Sequence, residues 1–201
     1  MRDPKNIRAA EAAGTDWMGF ILWNRSPRFL KQVPAYLPSC LRVGVFVNPA
    51  VEEVTHWLRL MRLDFVQLHG NESPLECKRI HEISGLPIIK AIPICNSEDL
   101  TVIHEYETGN GVAYLLFDTK CQKLGGSGKQ FEWEVLRTYN SELPFLLSGG
   151  IGPEDAERIC SLSLPKMAGI DLNSRFETTP GVKNISLVET FIKQIRQKTE
   201  L

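Results

Sequence analysis

The sequence is short of the features that would mark a membrane, nucleic-acid-binding or disulfide-built protein. Lys and Arg number 23 against 24 Asp and Glu, a net charge of −1, so there is no excess of one sign to hold a polyanion. No basic stripe interleaved with aromatics occurs, and nucleic acid is excluded as a partner. No apolar run approaches the ~20 residues that a membrane-spanning helix needs. The opening stretch MRDPKNIRAAEAAG is polar and helix-like rather than a signal peptide, so a cytoplasmic location is expected. The five cysteines, Cys40, Cys77, Cys95, Cys121 and Cys160, are odd in number and lack a C-x-x-C pair, which argues against a disulfide framework and a zinc site. Most are expected as small buried apolar groups.

The composition itself is that of an ordinary globular chain. With 201 residues, 43% hydrophobic and 23% charged, the chain is long enough to bury one sizeable core, and a single domain over 1–201 is expected. Amphipathic helices alternate with short apolar runs. Pro4 sits in the first turn of a helix whose inner face is Ile7, Ala10 and Ala13 and which Gly14 stops. Strands are expected at Trp17 to Trp23, Arg42 to Val47, Phe65 to Gly70 (strand and turn), Pro87 to Ile92, Tyr114 to Phe117, Pro144 to Ile151 and Ala168 to Leu172. Helices are expected at Val51 to Met61, after Asn71 or Ser73, at Ser97 to Tyr106, from near Phe131, from Pro153 through Cys160, and at about Ser186 to Lys198. Strict βα alternation argues for one parallel sheet, and its regular repetition for a closed barrel rather than an open doubly wound sheet. Seven strands stand where a barrel needs eight and the chain begins on a helix, as though the first strand were missing.

The stretch LLFDTKCQKLGGSGKQFEW, from Leu115 to Trp133, organises the chemistry. A strand buried on both faces can be polar only at its end, which puts Asp118 where a parallel strand meets a pocket. The adjoining loop, Gly125-Gly126-Ser127-Gly128-Lys129, lets backbone N–H groups and an ammonium approach an anion. It lacks the P-loop spacing G-x-x-x-x-G-K-(S/T). Gln67 and His69 share one strand face by period two, which points both into the barrel mouth. The structural alternatives are a loop-capping Asp118 and a hydrogen-bonded core His69.

The segments GFILWNRSPR, VGVFVN, DFVQLHGNES, IIKAI, LLFDTK with GGSGKQFEW, LLSGGI and GIDLNSRFETTPGVKN resemble, in order and spacing, the phosphoribosylanthranilate isomerase family of tryptophan biosynthesis. The resemblance covers nearly the whole chain. It implies a (β/α)8 TIM barrel that converts N-(5'-phosphoribosyl)anthranilate to 1-(2-carboxyphenylamino)-1-deoxyribulose 5-phosphate by an Amadori rearrangement, with no metal or organic cofactor. The reaction needs a general acid for the ribose ring oxygen and a base for the C2' proton. By resemblance Asp118 is the acid. An ordinary Asp has a pKa of ~3.9, so the site would have to raise it to keep a useful protonated fraction at neutral pH. Arg28 matches the residue near the anthranilate carboxylate, against the alternative of a solvated surface arginine, and Gln67 and His69 bind substrate. Gly126, Gly149, Gly150, Asn173 and Ser174 are implied for the phosphate, in the loops where such barrels hold it. The partner is a small phosphosugar, and the chain is expected as a monomer or homodimer.

Two departures stand out. Arg175 occupies a position where the family is expected to have glycine. The family's first strand, approximately K-(I/V)-C-G with the cysteine as general base, has no counterpart, since Met1-Arg2-Asp3-Pro4 resembles the segment just after that strand. A start codon placed late at an internal methionine is the expected reason, and inactivity of the chain as written the expected consequence. The alternative is a catalytically dead phosphosugar-binding barrel. Indole-glycerol-phosphate synthase chemistry would want lysine in the mouth, for which Lys90 is the plausible counterpart. Ribulose-phosphate epimerase would want metal-binding histidines that His56, His69, His81 and His104 do not assemble.

Overall fold

The structure is a computed structural model that describes residues 1–118 and 133–199. Local signals set the helix starts. In α1 (Pro4–Ala12) the Asp3 carboxylate accepts the Asn6 N–H at 2.8 Å, and Ile7 and Ala10 turn inward. In α3 (Pro74–Ser84) the capping residue is Ser73, paired reciprocally with Glu76, and Gly85 ends the helix in the left-handed region. Helix α2 (Val51–Met61) falls where its apolar spacing predicts.

Seven strands pair in parallel in chain order: β1 (Trp17–Ile21), β2 (Leu41–Phe46), β3 (Phe65–Leu68), β4 (Ile88–Pro93), β5 (Val112–Asp118), β6 (Phe145–Ser148) and β7 (Met167–Ile170). Alternation sorts their side chains into two layers. Val43, Ile89, Ala91, Leu116 and Leu146 form an inner cluster, while Phe20, Leu68, Ile88, Phe117, Phe145 and Leu147 pack under the helices. The sheet curls, because Trp17 of β1 meets Tyr114 of β5 edge-on at 5.1 Å and stacks on Phe65 of β3 at 4.6 Å. Strands so far apart in sheet order touch only across a barrel interior. Among the described residues no strand joins β1 to β7, so the seven-strand count and the two open edges match the sequence reading. At that seam the Met1 nitrogen donates to the Gly19 carbonyl at 2.9 Å.

Several boundaries differ from expectation. Strand β1 stops at Ile21, short of Trp23, and β6 spans four residues. The segments Ser97–Tyr106 and Trp133–Thr138 are 3₁₀ rather than α-helical, and α4 (Ala156–Ser161) comes after a single 3₁₀ turn, Pro153–Asp155. An antiparallel hairpin, β8 (Glu177–Thr179) with β9 (Val182–Lys183), lies between a 3₁₀ turn at Ser174–Phe176 and α5 (Ile185–Thr199). The glycine-rich stretch 125–129, with Gly126, lies outside the described residues. Of the described cysteines Cys77 is buried and Cys40 and Cys160 are half-buried, all three free, whereas Cys95 is exposed and disulfide-bonded, so fewer are buried and one more is bonded than the sequence suggests.

Lys90 does not enter the mouth. It alternates with inward-facing Ile89 and Ala91, so it points to the helix side, where it and Glu72 are each 2% exposed. Its ammonium donates to Glu72 Oε2 at 2.8 Å and to the Gly70 carbonyl at 2.7 Å. Glu72 also accepts the N–H groups of Asn48 at 2.7 Å and Gly70 at 3.0 Å, which ties the loop after β2 to the loop after β3. Removing one member of a buried pair strands the other. Glu72→Gln is therefore expected to cost ~3 kcal/mol of unfolding free energy in a urea titration, with the Glu72→Gln/Lys90→Met double variant losing less than the single one. A single-variant loss below ~1 kcal/mol would contradict the bracing role.

Candidate active site

The inner face of each strand stays apolar until the strand leaves the core. At those C-terminal ends Gln67, His69, Asp118, Ser148 and Asp171 all line one cavity of about 870 Å³. Arg28, from the loop after β1, and Gly149, Gly150, Asn173 and Ser174, from the loops after β6 and β7, line it too. The site residues expected from sequence that lie within the described part therefore converge on one site.

A hydrogen-bond chain runs through its centre. The Gln67 amide nitrogen lies 3.0 Å from His69 Nδ1, and His69 Nε2 lies 3.3 Å from Asp118 Oδ2. With the Gln67 amide nitrogen facing it, Nδ1 is the accepting ring nitrogen and Nε2 the one that donates to Asp118. His69 is thus neither a core histidine nor remote from Asp118. It is the neighbour that orients it.

Arg28 is not a solvated surface arginine. Its Nε and Nη2 fork around Glu177, with contacts of 2.8 and 2.6 Å to Oε2. Gly149 and Gly150 have φ of 89° and 71°, a left-handed conformation that side chains resist, which brings backbone N–H groups to the cavity rim. Arg175 lies flat on Gly152, donates to the Gly150 carbonyl at 3.3 Å and pairs with Glu154. It braces the outside of this loop.

Ser148, Asp171, Glu177 and Lys183 join the cavity lining without having been expected from sequence. Ser148 donates to Asp171 Oδ2 at 2.8 Å, and both occupy strand ends where the alternation that marks Asp118 marks them equally. None of Cys40, Cys77, Cys95 and Cys160 lines the cavity. Burial pushes the Cys40 thiol up to about 11 and the Cys77 thiol up to about 12, so neither is poised as a base. Among the described residues no three His, Cys, Asp or Glu side chains cluster as a metal ion would need, and no helix is long and apolar enough to cross a membrane.

A parallel βα-barrel sheet with a histidine–aspartate pair, a cationic wall and left-handed glycine loops at the C-terminal ends of its strands defines a barrel enzyme of acid–base chemistry on a small anionic ligand. The family model described as N-(5'phosphoribosyl)anthranilate (PRA) isomerase matches residues 2–194. The N-(5'-phosphoribosyl)anthranilate isomerase of Parabacteroides distasonis is 46% identical, over 97% of this chain and 90% of its own length. That of Phocaeicola vulgatus is 45% identical, over 100% and 97%. The crystal structure of the Thermotoga maritima phosphoribosyl anthranilate isomerase superposes with a TM-score of 0.81 at 28% identity, covering 98% of this chain and 96% of that one. The chain belongs to the N-(5'-phosphoribosyl)anthranilate isomerase family.

The tautomer is directly measurable. In ¹⁵N NMR the His69 ring is expected to show a protonated Nε2 and a bare Nδ1 at neutral pH, and Gln67→Leu is expected to redistribute the proton toward Nδ1. A wild-type spectrum with the proton on Nδ1 would contradict this hydrogen-bond chain.

Proposed function

We propose that the barrel built by this chain, once a base is supplied at the open seam between β1 and β7, catalyses the isomerisation for which its family is named, the Amadori rearrangement of N-(5'-phosphoribosyl)anthranilate in tryptophan biosynthesis, on a phosphosugar substrate in the cytoplasm and within one barrel domain spanning residues 1–201. The observation that carries the reading is the Asp118–His69 pair, set in the same cavity as Arg28 and the loops after β6 and β7. A neighbour of the same fold, 24% identical with a TM-score of 0.76, is described as a complex with reduced 1-(o-carboxyphenylamino)-1-deoxyribulose 5-phosphate, a compound with a carboxylate at one end and a phosphate at the other. The two anion-binding walls of this cavity suit that pattern.

In this reading Asp118 protonates the ribose ring oxygen and the ring opens to an iminium. The His69 Nε2–H fixes the carboxyl plane and stabilises the carboxylate left behind. Backbone N–H groups at Gly149 and Gly150, with Asn173 and Ser174, hold the phosphate, and Arg28 holds the anthranilate carboxylate. A base must then take the C2' proton. No described cysteine is placed for it, and the family's base belongs to a strand of the form K-(I/V)-C-G. The cavity reaches the seam between β1 and β7, where Met1, Gly19, Ala168 and Ile170 line it, and a strand there would present a side chain to the same space. We place the base in that seam.

Turnover of freshly generated phosphoribosylanthranilate, followed by its fluorescence change, tests this. A chain carrying the K-(I/V)-C-G strand ahead of Met1 is expected to turn over, its Asp118→Asn variant to be slower by about 10²–10⁴-fold, and the 201-residue chain to bind without turning over. Normal turnover by the 201-residue chain would overturn the placement of the base. Full activity in Asp118→Asn would overturn the acid, and binding without turnover by the extended chain would favour a phosphosugar-binding barrel.

A further inference from the structure

Two charged residues at the mouth take no part in the acid–base chemistry. Glu177 opens the hairpin β8/β9 and Lys183 closes it, and the two stand opposite each other in the antiparallel register. Glu177 has a side chain only 4% exposed, yet its carboxylate accepts from Arg28 Nε and Nη2, from the Gly181 N–H at 3.0 Å and from Lys183 Nζ at 3.5 Å. Lys183, 13% exposed, also donates to the Asn173 carbonyl at 3.0 Å and to the Asn173 side-chain oxygen at 3.2 Å. Burial works against charge on Glu177, but Arg28 and Lys183 outweigh it and hold the carboxyl below its usual range. Burial pushes the Lys183 ammonium down.

Three features separate this network from an ordinary surface ion pair. Arg28, Glu177, Lys183 and Asn173 all line the cavity, so it faces ligand. The three charged groups in direct contact sum to one positive charge, which the Asp171 carboxylate, close enough to act on Lys183, offsets in part. Glu177 takes the Nε and Nη2 edge of Arg28, which leaves Nη1 and the outer Nη2 N–H as the edge toward a ligand, with the guanidinium plane fixed. Holding two half-buried cations on one carboxylate contributes little to stability beyond what apolar side chains would give. It does fix geometry.

We propose that Glu177 and Lys183 are positioning residues that join the two anion-gripping ends of the site: Glu177 locks the plane in which Arg28 meets a ligand carboxylate, and Lys183 couples that carboxylate grip to the Asn173–Ser174 loop at the phosphate end. This inference rests on the isomerase reading for the identity of the two anionic ends. It makes the hairpin, which lies outside the βα repeat, part of substrate selection.

Calorimetric titration of the chain with reduced 1-(o-carboxyphenylamino)-1-deoxyribulose 5-phosphate and with its analogue lacking the carboxylate tests it. Glu177→Gln is expected to weaken the carboxylate-bearing ligand about ten-fold and the analogue by less than about two-fold. Lys183→Met is expected to weaken both by about ten-fold, with Lys183→Arg restoring most of the loss. If circular dichroism shows Glu177→Gln unfolded, Glu177→Asp, which keeps the charge and withdraws it by one methylene, is read against the same two ligands with the same expected selectivity. Equal weakening of both ligands by the Glu177 variant, or none, would overturn the inference while leaving the isomerase reading standing. Failure of the unsubstituted chain to bind either compound would overturn both.

Discussion

A parallel strand covered on both faces can carry a polar side chain only where a buried partner satisfies it, as Glu72 does Lys90, or where the strand runs out of core, and that constraint organises the molecule. Each inner strand face is apolar from its start, through Val43, Ile89, Leu116 and Leu146, until the strand clears the inner cluster. The next residues in the same alternation are Gln67, His69, Asp118, Ser148 and Asp171. Because all the strands run the same way, these polar ends meet at one mouth rather than at two. The active site is thus a consequence of how the core is filled. A slip of one residue in any of these strands would turn its polar end toward the helices.

Electrostatics then separates the groups that react from the groups that brace. The Glu72–Lys90 pair sits outside the sheet and has backbone groups of two loops as its other partners, so its charges are spent on holding Asn48 and Gly70. The Glu177–Lys183 pair is built the same way but opens onto the cavity, where it holds the Arg28 guanidinium at the wall. The His69–Asp118 contact is longer and partly exposed, which suits the proton exchange with a substrate proposed for it.

Much of this is legible in the sequence. The βα alternation, the seven strands, Asp118 at a strand end, the shared face of Gln67 and His69, and the two glycines after β6 all stem from period-two patterning and turn chemistry, and the ordered motifs supply the family. Other features depend on contacts that no local pattern carries. A lysine inside a strand suggests chemistry at the mouth, but register places Lys90 with Ile88 and Ile92 on the helix side, where Glu72 neutralises it. The hairpin Glu177–Lys183 is a local turn, Thr-Pro-Gly, inside what reads as a loop, and its partner Arg28 is 149 residues away in sequence. The 3₁₀ character of Ser97–Tyr106 is also hidden, since its apolar spacing fits either helix. Ser148 and Asp171 are within reach of the same reasoning that marks Asp118, once it is applied to every strand end.

The proposed site is oriented, with a carboxylate wall at Arg28 and a phosphate wall in the loops after β6 and β7. A crystal structure with reduced 1-(o-carboxyphenylamino)-1-deoxyribulose 5-phosphate bound would show the orientation. The ligand carboxylate is expected on Arg28, its phosphate against the backbone of Gly149, Gly150, Asn173 and Ser174, and the sugar within hydrogen-bond reach of Asp118. A ligand bound in the reverse orientation, or outside the cavity, would contradict it.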